Sequence, residues 1–132
     1  TQVLLTFDTE QVNIDRVHSP ATDPTRLTAP IDGLFEVHGE VNWRPPCGNS
    51  AFEELEIYKN AATRVGVTAI PVSSGGTSCV AEGVDALVHL RAGDYVQLYV
   101  RQLTGTTNTV TGTNTEGAPD TPEFDMHWVA PS

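Results

Sequence analysis

From Leu34 to Val41 apolar and polar residues alternate. Successive strand side chains point opposite ways, so an extended chain here carries Phe35, Val37, Gly39 and Val41 on one face and Leu34, Glu36, His38 and Glu40 on the other. The first is a core face. The second sets two carboxylates and an imidazole in a row headed by a leucine, which raises the question of what packs against it. Runs rich in Val, Leu, Ile, Phe, Tyr and Thr recur along the chain at VLLTF (3–7), LFEVHGEVNW (34–43), ELEIYKN (54–60), RVGVTAI (64–70), VDALVHL (84–90), YVQLYVR (95–101) and EFDMHWV (123–129). Between them stand IDG, PPCGN, SSGG and RAGD, whose residues accept tight or left-handed backbone geometry. Helical periodicity is nearly absent. The pattern predicts an all-β sandwich or barrel of about eight to ten strands.

The strand phase names Phe35, Val37, Ile57, Val88, Leu90, Val96, Leu98 and Val100 as core residues. Gly33 and Gly93 each close a turn signal just before a strand and are expected at positive φ. The Thr/Gly/Asn-rich segment 104–122 reads as a long hairpin or a loop, and threonine's β-branching favours partial pairing.

At 132 residues the chain is expected to be a single domain, 1–132, that needs neither metal nor disulfide merely to fold. Its 7 basic residues, with Lys59 the only lysine, stand against 17 acidic ones. That balance repels phosphate backbones and anionic membranes, so nucleic acid is not an expected partner. No apolar run approaches the roughly 20 residues of a membrane span, and no basic-then-apolar start reads as a signal peptide. A chain beginning at Thr1 reads as a fragment or a processed product. Cys47 and Cys79, in PPCGNS and GGTSCVAEG, suit a loop-stapling disulfide better than a metal site, with two unrelated cysteines as the alternative.

Catalytic patterns are missing. SSGGTS (73–78) is neither a G-x-S-x-G elbow nor a P-loop, and Glu53, Glu54 and Glu56 read as a solvated charge run where a strand begins. The histidines His18, His38, His89 and His127 include no H-x-H or H-E-x-x-H pair. His38 and His127 each follow a carboxylate by two positions, Glu36 and Asp125, and would join it in one polar cluster if their strands were neighbours. Trp43, Trp128 and the three tyrosines could form a sugar-stacking platform, although Trp128 alternates in phase with Phe124 and Met126 as a buried residue would.

The order D-P-x-x-L-T-A-P-x-x-G-L-F-x-V (Asp23 to Val37), L-E-I-Y-K-N (Leu55 to Asn60), A-L-V-H-L-R-A-G-D-Y-V-Q-L-Y-V (Ala86 to Val100) and a closing aromatic strand resembles the globular head of complement component one q and its tumour-necrosis-factor relatives. The resemblance covers nearly the whole chain. It implies a ten-stranded jelly-roll sandwich that assembles as a homotrimer, outside the cell or on a cell or virion surface, and recognises other molecules without doing chemistry on them. It also implies that LFEVHGEV lies in the inner sheet between YVQLYV and FDMHWV. Leu34, Glu36, His38, Glu40, Tyr95, Gln97, Tyr99, Asp125, His127 and Val129 would then line subunit contacts near a threefold axis. Carboxylates gathered there need histidine protonation, bridging water or a bound cation to balance them, which makes Glu36, His38 and His127 the nearest approach to a metal set. No cofactor is otherwise expected. The departures are the Thr-rich insertion, a last strand ending M-H-W-V, the lack of an upstream Gly-X-Y repeat, and no match to the family's Asp-rich calcium site. The expected function is a trimeric recognition head for a protein or glycan. The alternative is a structural trimerisation cap of a microbial or phage fibre without a ligand of its own.

Overall fold

A computed structural model describes residues 2–7, 17–19, 21–44, 52–71, 81–102, 109–110 and 122–132. The strands are β1 (Gln2–Leu4), β2 (Leu27–Thr28), β3 (Gly33–Arg44), β4 (Phe52–Lys59), β5 (Thr63–Pro71), β6 (Ala81–Leu90), β7 (Tyr95–Gln102), β8 (Thr109–Val110) and β9 (Glu123–Ala130). Each of the seven apolar runs overlaps a strand. The Thr-rich segment contributes β8, which pairs with Trp43 and Arg44. Residues 104–108 and 111–121 of that segment, Cys47 and Cys79 lie outside the described residues.

The strands form two antiparallel sheets packed face to face. In the first, β7 lies between β4 and the pair β1 and β2, and β5 flanks β4. In the second, β3 lies between β6 and β9. The neighbours of LFEVHGEV are therefore VDALVHL and FDMHWV, and the expectation that YVQLYV lies beside it is overturned. YVQLYV belongs to the opposite sheet, where it pairs with β4. Strand alternation fixes which residues share a face, but the partner strand is chosen by contacts far apart in sequence.

The strand phase itself is as read. Phe35, Val37, Ile57, Val88, Leu90, Val96, Leu98 and Val100 are all buried between the sheets, with Leu27, Val41, Trp43, Leu55, Val84 and Met126. Trp128 departs from the expected burial and is 43% exposed. The charge run of β4 departs further: Glu53 and Glu56 are each only 1% exposed. Glu53 shares the inward phase of Leu55 and Ile57. Glu56 points outward but accepts hydrogen bonds from Gln2 (3.2 Å), Tyr58 (3.3 Å) and Arg64 (3.1 Å), whose side chains cover it.

The glycines divide by cause. Gly93 has φ 92°, as expected of the RAGD turn. Gly33 does not have positive φ. It is glycine because a Cβ there would collide with the Trp128 indole and lie 2.8 Å from the Ala130 carbonyl oxygen. The β4–β5 turn instead carries Asn60 (φ 51°) and Ala61 (φ 57°). Asn60 ties this turn to the β6–β7 turn by donating to Asp94 Oδ1 (2.9 Å) and accepting from the Tyr95 amide (2.9 Å). At the opposing sheet edges, a Cβ on Gly66 of β5 would lie 3.2 Å from the Asp85 carbonyl oxygen of β6, so the two edges nearly touch.

Gly39, in the middle of β3, leaves room for a side chain of the opposite sheet. A Cβ there would lie 2.5 Å from Leu98 Cδ1 of β7, so the leucine occupies the space that any larger residue would need. Gly39→Val is expected to destabilise by about 1–3 kcal/mol through overpacking, and Leu98→Ala by about 2–5 kcal/mol. Together they should cost clearly less than the sum, because the shortened side chain vacates what the added one fills. Denaturant titration of the four proteins measures this coupling, and simple additivity would show that the two sites do not share space.

Candidate functional site

The outward face of β6–β3–β9 gathers the residues that the strand alternation had singled out. Along β3, Leu34 is flanked by His89 and Ala130, Glu36 by Leu87 and His127, His38 by Asp85 and Asp125, and Glu40 by Gly83 and Glu123. The conditional cluster of Glu36, His38, Asp125 and His127 thus forms, because β3 and β9 are neighbours. Residues 33–40, 83–90 and 123–130 contain no Lys or Arg, so the face opposes Glu36, Glu40, Asp85, Glu123 and Asp125 with histidines alone.

His38 is the hub. Its Nδ1 lies 2.7 Å from Asp85 Oδ1 and its Nε2 lies 3.6 Å from Glu40 Oε2. Partial burial works against the protonated ring, but the Asp85 hydrogen bond, the charges of Asp85 and Asp125, and Glu40 together outweigh it, holding His38 above its ordinary value of 6.5. One row further along, His127 Nε2 lies 3.2 Å from Glu36 Oε2. Apolar groups lie among these charges. Leu87 is 64% exposed in the row of Glu36, and Val129 is exposed beside the bulge where β9 slips against Leu34 and Phe35.

Tyr95, Gln97 and Tyr99 do not belong to this face. They lie on the outward side of the other sheet, where Tyr99 packs edge-on against Tyr58 at 5.1 Å between centroids. Arg26 stacks over Tyr95 at 3.9 Å and pairs with Asp23 at 2.7 Å. Gln97, 4% exposed, donates to Thr25 Oγ1 at 3.0 Å. All three tyrosines therefore share one face, while the tryptophans are elsewhere. Trp43 is buried and donates its indole N–H to Glu82 Oε1 at 3.2 Å, so no single aromatic platform collects all five rings.

Among the described residues no group of three or more His, Cys, Asp or Glu side chains is placed to hold a metal ion, and Glu36, His38 and His127 divide between separate pairs. What the acidic face can do is bind protons and match charge. The sequence carried a signal for Asp85 that was missed: it alternates with Ala86 and Val84 in VDALVHL and so faces outward, like His38.

Because the folded value of His38 is raised, its contribution to stability is fully present below about pH 6.5 and is lost as pH rises through the folded value. The His38 ring protons are expected to titrate in NMR spectra above 6.5. Asp85→Asn should move that midpoint down, and a midpoint that stays where it was would remove Asp85 as the cause.

Also among the described residues, no helix is long and apolar enough to cross a membrane. No protein-family model matches the chain, and no curated protein matches it in sequence.

Proposed function

We propose that the chain is a non-enzymatic, trimeric recognition head that binds a protein or glycan at a cell or particle surface, with a ten-stranded jelly-roll connectivity. The observation that carries this reading is the outward face of β6–β3–β9. Exposed Leu87 and Val129 lie among paired histidines and carboxylates there. Contact surfaces between subunits combine apolar groups with hydrogen-bonded polar ones in this way. The connectivity supports the jelly roll, since the chain changes sheets between β3 and β4, between β5 and β6, and between β6 and β7. Such crossings join the strands of double-sheet Greek-key folds.

In this reading Leu34, Glu36, His38, Glu40, Asp125, His127 and Val129 form the subunit contact, joined by Asp85 and Leu87. Tyr95, Gln97 and Tyr99 are on the far sheet and leave it. Ligand contacts fall outside this face.

Sedimentation equilibrium is expected to return about three times the 14.2 kDa chain mass. Leu87→Glu, at a position already open to solvent, should return the single-chain mass with unchanged circular dichroism. A wild-type protein that stays monomeric at tens of micromolar removes the trimer. A trimer that binds nothing in a glycan and cell-surface screen leaves the structural cap.

A further inference from the structure

One end of the sandwich interior is polar. Three inward-facing stripes reach it, and each ends in a polar residue: Val84, Ala86, Val88 and Leu90 of β6 begin from Glu82, Leu55 and Ile57 of β4 from Glu53, and Val96, Leu98 and Val100 of β7 run on to Gln102. Glu82 is 2% exposed. One of its oxygens accepts the Trp43 indole N–H, and the other, Oε2, is buried with no hydrogen-bond partner among the described residues. A carboxylate in that position lacks the donors that would stabilise its charge. Glu53 and Glu54 of β4 add negative charge from the facing sheet, and Glu54 Oε2 is likewise buried without a partner. Among the described residues no cation pairs with Glu82, while a neutral carboxyl there keeps its bond to Trp43 and removes the repulsion.

We propose that Glu82 and Trp43 form a proton-operated latch on this end of the sandwich: with the carboxyl neutral the strand ends stay closed over it, and with the carboxyl ionised they part and admit water. The ends of β3, β4, β5, β6 and β7 meet here. The latch therefore governs how these strand ends are held. It does not depend on the trimer.

Burial, only partly offset by the Trp43 hydrogen bond and reinforced by Glu53 and Glu54, pushes the Glu82 carboxyl up to about 7 from 4.5. An unfolded chain releases this proton near 4.5, so the stability the neutral carboxyl lends is full below that value, declines as pH rises towards 7, and is absent above it.

Trp43 reports the state of the latch by its fluorescence once Trp128 is replaced by phenylalanine. In the Trp128→Phe protein, Trp43 emission is expected to be blue-shifted and shielded from acrylamide in acid, then to shift red and become quenchable with a midpoint near 7. Added Glu82→Gln should hold the emission in its acid form throughout. Glu53→Gln, which removes a neighbouring negative charge, should lower the midpoint and so provides a second reading if Glu82→Gln does not fold. Emission that is constant from about pH 5 to about pH 9 would overturn the proposal. So would a transition that persists in Glu82→Gln, or one indifferent to Glu53→Gln.

Discussion

The two sheets pack against each other across a residue with no side chain. Leu98 of β7 projects into the room above Gly39 of β3, which a side chain on β3 would otherwise fill. Glycine in a strand interior ordinarily weakens it and often marks a place where another group comes close. Here it lets a leucine from the opposite sheet seat against the backbone of the strand that also organises its own sheet, since β3 is paired with β6 over almost its whole length and with β9 over much of it. The same strand carries the histidine–carboxylate row on its other side. The core contact and the acidic face are thus the two faces of one ribbon, and a shift of β3 by one residue would exchange them.

Much of this was legible in the sequence because strand alternation is local. The apolar phase of β3, β4, β6 and β7 follows from neighbours two residues apart, and those core positions are buried as read. The companions of His38 were half legible. Alternation puts Asp125 and His127 on one face of their strand, but that this strand lies beside His38 is a matter of pairing, and equally nothing in one sequence says that YVQLYV pairs with LEIYK instead of with LFEVHGEV. That choice is made by packing between residues tens of positions apart. It moved Tyr95, Gln97 and Tyr99 to the far side of the molecule.

Charge misled in a more instructive way. Glu53, Glu54 and Glu56 look solvated because three carboxylates in four residues are costly to bury. Glu56 is nevertheless covered, because Gln2, 54 positions away, and Arg64 across the turn both deliver donors to it. Glu82 and Glu53 offered a warning that composition alone hides: each occupies a position in phase with core residues of its own strand. A carboxylate that keeps step with valines and leucines is a buried group awaiting an explanation, whereas one out of step is an ordinary surface charge.

The close approach at Gly66 bears on how this fold escapes unwanted association. β5 and β6 flank their respective sheets, and a flanking strand with free amides and carbonyls is a template for a strand from another molecule. At Gly66 the β5 backbone comes against the β6 backbone at Asp85 and the side chains of Val84 and Ala86, with a bulge in the β4–β5 ladder at Ile57 and Tyr58 bending the strand. The resulting seam leaves little room there for an incoming strand and twists away the flat ribbon that fibrils require. A strand arriving at this side would have to displace that contact before it could pair beside the exposed Val67 of β5.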